Sequence, residues 1–277
     1  MPSHDALIAS SSLPRIEARA LLEHASGRRR EWLIAHGDED AGEDVAERFA
    51  ELARRRRLGE PLAYLVGWRE FHGRRFEVTA DVLIPRADTE LAVRWACSVA
   101  PRDGSVLDLG TGSGAIAASV ALERPDLRVL ATDASAAAAE VASRNCLALG
   151  AVRVEVRIGD WFAPIRPDER FDVVVSNPPY LAADDPHLGQ GDLRFEPSGA
   201  LTDGADGLQA LQAIVAGAAS RLRDDGWLGL EHGWTQGAAV RSMLSAAGFG
   251  KVGTLRDDEG RERLTAGRRC AGAEDAG

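Results

Sequence analysis

From residue 105 onward short apolar runs alternate with longer helical ones, and that rhythm limits the possible folds more than any other feature of the chain. Residues 105–109, 128–132, 152–158, 171–176 and 227–230 read as strands, while 115–123, 135–149, 208–222 and 236–247 read as helices. Such alternation predicts an α/β fold, a largely parallel sheet with helices on both faces. Residues 251–255 and 263–266 supply two further strand candidates. The stretch before them has a different character. In residues 1–60, Pro14 opens a helical segment with Ile16, Ala20, Leu21 and Leu22 at helical spacing, and Phe49, Leu52 and Ala53 mark another. Gly59-Glu60-Pro61 breaks that pattern, and residues 64–68 and 75–79 flank His72-Gly73 as the arms of a short hairpin.

The bulk properties narrow the function classes. A chain of 277 residues is long enough for one large and one small domain and needs no covalent staples. Its three cysteines, Cys97, Cys146 and Cys270, are odd in number and lack any CxxC or Cys/His spacing, so neither a disulfide framework nor a metal site is expected. No signal peptide is expected, and no apolar run reaches the roughly 18 residues that span a bilayer, so the expectation is a cytoplasmic protein without membrane contact. The net charge is −10, with the acid excess lying beyond residue 80. Proteins that grip a phosphate backbone usually carry the opposite bias, which argues against long nucleic acid as the partner. Arg54-Arg55-Arg56-Arg57 reads instead as a solvated helix end near the negative pole of its dipole, helped by Glu47 and Glu51. Nothing points to an oligomer, so a monomer is expected.

Two strand ends carry the chemistry. The first is Ser105-Val-Leu-Asp-Leu-Gly110-Thr-Gly-Ser-Gly114, a strand running through a tight turn into a helix. Glycines let backbone pass close to a ligand, and the helix start offers free N–H groups. The next strand ends at Asp133, placed to accept the hydroxyls of a ribose. Gly110, Gly112 and Ala115 also satisfy the dinucleotide fingerprint, so this turn predicts a nucleoside cofactor without naming it. Asp108 leans towards S-adenosylmethionine, whose sulfonium and ammonium groups a carboxylate attracts. Farther on, Asp160 could hydrogen-bond an adenine amino group, and Trp161 could cover the ring.

The second is Asn177-Pro178-Pro179-Tyr180, where the strand 171–176 stops at the carboxyl edge of the sheet. Consecutive prolines have no N–H and cannot extend a ladder, so they hold a rigid, carbonyl-lined turn. An amide or amino nitrogen is a poor nucleophile because its lone pair is delocalised. With the Asn177 side-chain oxygen accepting one N–H and the Pro178 carbonyl the other, its lone pair is aimed at a methyl donor; Tyr180 would stack on the planar group. Nicotinamide chemistry has no use for this pocket, and the dehydrogenase alternative falls away. His232, alone after a strand, reads as a structural histidine. The stretch 181–203 is long for a connection and reads as a lid or substrate-gripping loop. The tail 270–277 is small and polar and is expected to be disordered.

With these residues in place the sequence resembles the release factor glutamine methyltransferases, also called HemK or PrmC. The likeness runs from about Glu60 to Arg268 and is densest at Glu60-Pro-Leu-Ala-Tyr-Leu, Leu83-Ile-Pro-Arg-Ala-Asp-Thr-Glu90, Asp108-Leu-Gly-Thr-Gly-Ser-Gly114, Asn177-Pro-Pro-Tyr180, Arg194-Phe-Glu-Pro197 and Leu230-Glu-His-Gly-Trp234. Ala87 stands where the family carries a proline, a departure that removes no polar group. The resemblance implies a seven-stranded Rossmann-like methyltransferase domain (85–277), joined through a hairpin linker (61–84) to a small helical partner-recognition domain (1–60). It implies S-adenosylmethionine held by Gly110, Thr111, Gly112, Ser113, Gly114, Asp133, Trp161 and Asn177. It further implies that Asn177, Pro178, Pro179 and Tyr180 hold the glutamine of the Gly-Gly-Gln loop of peptide chain release factors, giving N5-methylglutamine. Two neighbouring activities share parts of this pattern: methylation of a ribosomal-protein glutamine, and methylation of an exocyclic amino group of a nucleic-acid base.

Overall fold

The computed structural model describes residues 1–270, so all of the tail beyond Cys270 lies outside the described residues. The chain divides into two compact units, one made of Met1–Trp68 with Gly189–Phe195, the other of Arg69–Leu188 with the chain from Glu196 onward.

The first unit is helical: α1 (His4–Ser10), α2 (Arg15–Ser26), α3 (Arg30–Ala35), α4 (Glu43–Arg57) and α5 (Leu62–Val66). Local chemistry sets the ends. Ser3 caps α1 by accepting the Ala6 N–H, Pro14 precedes α2, and α4 begins with Glu43 and Asp44 and ends in arginines, matching both poles of its dipole. Leu21, Leu22, Leu33, Phe49 and Leu65 form its core. Residues 64–66, expected in a strand, are helical. Pro61 starts that turn and Gly67, in the left-handed region, stops it, and these two boundary residues outweigh the β preference of Tyr64 and Val66. The arginine run is also more engaged than a solvated end. Arg54 pairs with Glu51 at the surface, but Arg55 pairs with Glu60, Arg56 with Glu17 and Asp192, and Arg57 donates to the Ser11 carbonyl. The Arg56 side chain keeps only 19% exposure against 55% for Arg54.

The other elements are β1 (Trp68–Phe71) and β2 (Arg74–Glu77), which form the hairpin, then α6 (Glu90–Val99), β3 (Ser105–Leu109), α7 (Ala115–Glu123), β4 (Arg128–Asp133), α8 (Ala136–Leu149), β5 (Val154–Ile158), β6 (Phe171–Ser176), α9 (Ser198–Leu201), α10 (Gln209–Ala218), β7 (Leu222–Glu231), α11 (Gly237–Ala246), β8 (Phe249–Arg256) and β9 (Glu262–Arg269). Strands β3 to β9 make one seven-stranded sheet in the order β5-β4-β3-β6-β7-β9-β8, parallel from β5 to β7 and antiparallel at β9 and β8. Successive strand residues point to opposite faces. Val106, Val129, Ala131, Val173 and Val175 therefore pack beneath α6 and α7, while Leu107, Leu109, Val174, Leu228 and Leu230 pack beneath α10 and α11. Residue 222 belongs to β7 rather than to the preceding helix. It pairs with Phe171, after which the register skips until Val173 meets Trp227, leaving the polar residues 223–225 bulged outward. The topology also positions the site. From β3 the chain winds outward through β4 and β5, and from β6 it winds the other way to β7. The crevice between β3 and β6 is thus the switch point where such sheets bind ligands.

Candidate active site

Leu109 and Ser176 are partners in the parallel ladder, so the glycine turn and the Asn-Pro-Pro-Tyr turn leave the sheet side by side. The first is held almost entirely by the chain's own carboxylates. Gly110 (φ +67°) reverses the backbone; a Cβ there would sit 3.4 Å from the Trp161 ring. The Gly112 N–H donates to Asp133 Oδ2 at 2.9 Å, and Asp133 Oδ1 accepts the Ser135 N–H at the start of α8. Asp108 Oδ2 accepts the Thr111 hydroxyl at 2.6 Å and the Ala117 N–H at 3.2 Å, acting as an internal cap for α7. Its Oδ1 has no protein partner, and burial pushes this carboxyl up to about 7. Asn145 on α8 braces the turn from behind: its Nδ2 donates to the Ser113 and Glu77 carbonyls, and its Oδ1 accepts the Glu77 N–H.

Both turns open into a cavity of about 390 Å³. Of the residues singled out in the sequence, Gly110, Thr111, Gly112, Ser113, Asp133, Asp160, Trp161, Asn177 and Pro179 lie on its wall. Trp161 adopts φ +41°, a conformation rare for a bulky residue and found where a site constrains the backbone. Four others are not on the wall. Asp108 is buried behind the turn, and Gly114 lies against Ala142, 3.1 Å from where its Cβ would place an atom. Pro178 is buried, and the Tyr180 ring packs on the leucine-rich core under α10 rather than facing the opening. Burial raises the Tyr180 phenol, which stays neutral, and its carbonyl accepts the Gln236 Nε2–H at 3.0 Å.

Other wall residues carried no individual role in the sequence reading. Thr89 is one: it accepts the Asn177 Nδ2–H at 3.1 Å. Arg86 is another, ion-paired to the buried Glu196, whose other oxygen accepts the Ile84 N–H at 3.1 Å. The dense likeness at residues 83–90 and at Glu196-Pro197 was the available signal, since Ile84 and Arg86 meet Glu196 here. The rest of 181–203 is short 3-10 turns and α9, with Leu181 bridged to Thr202. His232 is satisfied within the sheet: it donates from Nδ1 to the Gly233 carbonyl and holds Thr265 Oγ1 at 2.7 Å from Nε2. Burial lowers its pKa, so the ring is neutral. Among the described residues no group of His, Cys, Asp and Glu is arranged to hold a metal ion, and no helix is long and apolar enough to cross a membrane.

Comparison with known proteins adds identity to this geometry. The chain is 53% identical over 267 residues to the release factor glutamine methyltransferase of Bordetella pertussis, covering 94% of this chain and 97% of that one. It is 42% identical to the Escherichia coli protein of the same name, covering 94% of each. The chain belongs to the release factor glutamine methyltransferase family. Family profiles divide it accordingly: "PrmC N-terminal domain" matches residues 5–67 and "Methyltransferase small domain" residues 87–190. A methyltransferase from Pyrococcus furiosus shares the fold at 17% identity, with a TM-score of 0.55 over 80% of this chain and 99% of that one. The α/β architecture expected from the sequence is thus the family's own, and the chain is a methyltransferase.

Proposed function

We propose that this methyltransferase takes its methyl group from S-adenosylmethionine and places it on the side-chain amide nitrogen of the glutamine in the Gly-Gly-Gln loop of peptide chain release factors. The observation that carries the reading is Asn177: it stands on the wall of the cavity that the glycine turn shares, with its NH2 tied back to Thr89. The residues present suit the cofactor. Asp133 retains lone pairs on both oxygens for ribose hydroxyls, and Asp160 and Trp161 offer a carboxylate and a ring to an adenine. When bound, S-adenosylmethionine supplies a methyl group made electrophilic by its sulfonium.

The chain's own residues do the rest by placement. Asn177 Oδ1 and the Pro178 carbonyl accept the two N–H groups of the substrate amide, turning its nitrogen lone pair towards the donor and drawing electron density onto that nitrogen. The nitrogen exchanges one proton for the methyl. Its remaining N–H bonds grow more acidic as the N–C bond forms, so the proton can pass to solvent without a strong protein base. Pro178 and Pro179 keep the carbonyl in place because neither can rotate about φ.

The test is methyl transfer from labelled S-adenosylmethionine with four acceptors: a release factor, the same factor with the loop glutamine changed to alanine, ribosomal protein, and nucleic acid (stem-loop RNA and duplex DNA). Label is expected in the intact release factor alone. Label in ribosomal protein or nucleic acid, with none in the release factor, overturns the reading.

A further inference from the structure

Glu231 is the last residue of β7, one position past the Ser176–Leu230 pair, so it stands alongside Asn177. It is buried, and Oε2 has no partner. The Thr89 side chain holds down the pKa of this carboxylate, as a neighbouring hydroxyl that donates to it does, and the Thr89 oxygen accepts the Asn177 Nδ2–H at 3.1 Å. A hydroxyl has a single proton. While that proton is committed to Glu231, Thr89 can meet Asn177 only as an acceptor, and only the NH2 end of the amide fits against it. The oxygen end is then the one left for the cavity.

We propose that Thr89 and Glu231 are positioning residues for methyl transfer, a hydrogen-bond relay that decides which end of the Asn177 amide meets the substrate. The inference rests on the role given to Asn177 above and deepens it. An asparagine amide is nearly symmetric in shape, and packing alone distinguishes its two ends poorly. With the oxygen outward it accepts a substrate N–H; with the NH2 outward it sets one donor against another. The relay also has a reversed state. A protonated Glu231 donates to Thr89, Thr89 then donates to Asn177 Oδ1, and the amide turns its NH2 to the cavity. Burial is the main influence raising the Glu231 carboxyl, to about 7, with Arg263 on β9 opposing the rise and Asp88, beside Thr89, adding to it. The Tyr180 phenol, raised by its own burial, stays neutral and adds no charge beside Glu231. Turnover therefore rises as pH climbs through about 7, when the relay locks in the productive direction.

The test compares Thr89→Val, which keeps the shape and removes the hydroxyl, with Thr89→Ser, which keeps the hydroxyl. Release-factor methylation gives kcat, and calorimetry gives S-adenosylmethionine affinity and shows whether each variant is folded. The Val variant should lose roughly tenfold to a hundredfold in kcat with cofactor affinity changed less than about twofold, and the Ser variant should recover most of that loss. In Glu231→Gln the rise of kcat near pH 7 should disappear. Unchanged kcat in the Val variant, equal losses in Val and Ser, or a Gln variant that keeps the pH limb overturns the relay. If Thr89→Val fails to fold, the Glu231→Gln profile decides alone. Asn177→Ala run in parallel separates the two claims. An active Asn177→Ala removes the functional reading itself, whereas an inactive one beside an active Thr89→Val removes only the relay.

Discussion

At the end of β3 the chain turns on glycines, with the Gly112 N–H claimed by Asp133, the Gly114 N–H by the Thr111 carbonyl, and the Thr111 hydroxyl and Ala117 N–H by Asp108; at the end of β6 it turns on prolines and exposes a side-chain amide steadied by a single hydroxyl. The first turn is finished before any ligand arrives, and its shape is what a cofactor meets. The second turn is rigid in backbone but has one decision left open, the direction of an amide. Two turns a ladder rung apart thus divide the work: one governs how tightly the donor is held, the other how fast the acceptor reacts.

Asn177→Ala and Asp133→Ala put that division to its hardest test. The first should lower kcat by roughly a hundredfold to a thousandfold, as loss of a preorganised polar contact does, while leaving cofactor affinity nearly unchanged. The second leaves the Gly112 and Ser135 N–H groups without their acceptor, and should weaken S-adenosylmethionine binding roughly tenfold to a hundredfold, with kcat at saturation falling less. Parallel losses of rate and affinity in both variants would dissolve the contrast. A smaller effect concerns stability and pH. Unfolded, Glu231 gives up its proton near the ordinary 4.5, but folded it holds it to about 7. Between those values the folded state binds more protons, so rising pH withdraws stability, on the order of a few kcal/mol in full. Glu231→Gln escapes that loss, and its melting temperature should gain on the parent's as pH goes from 5 to 8; a constant gap would show that the carboxyl is not held in its neutral form. The smallest pair compares the turns as scaffolds. Gly114→Ala forces a side chain at φ +80° against the Ala142 backbone and should cost about 1–3 kcal/mol. Pro178→Ala mainly frees the unfolded chain, costing less than about 1 kcal/mol. Thermal melts that reverse this order would mean the proline turn, not the glycine turn, is the stiffer element.

Legibility in the sequence followed the range of the interactions. Strands β3, β4 and β6 stood out because each is a short apolar run buried on both faces, and both turns stood out because Gly and Pro impose backbone geometry locally. The helix α6 was missed, although Glu90–Val99 buries Leu91, Val93 and Trp95, because its apolar residues crowd both sides of a single short segment. The packing of Tyr180 against the core that includes Leu211 and Ile214 of α10 is not legible in the motif, because those partners lie well along the chain. The bonds of Asp108 to Thr111 and to the first turn of α7 carry no signal in the sequence beyond the charge itself. Thr89 and Glu231 carry no motif spacing relative to Asn177. Only the pairing of β6 with β7 and the turn before α6 bring the three together.

Asn145 holds Glu77 the way a neighbouring strand would, with one bond in each direction, and with the same amide nitrogen it grasps Ser113 in the glycine turn. The outer edge of the hairpin and the donor's cradle therefore share one clasp. Deuterium uptake at the Glu77 amide should slow when the cradle is filled, making a peptide proton remote from the chemistry a readable gauge of cofactor occupancy.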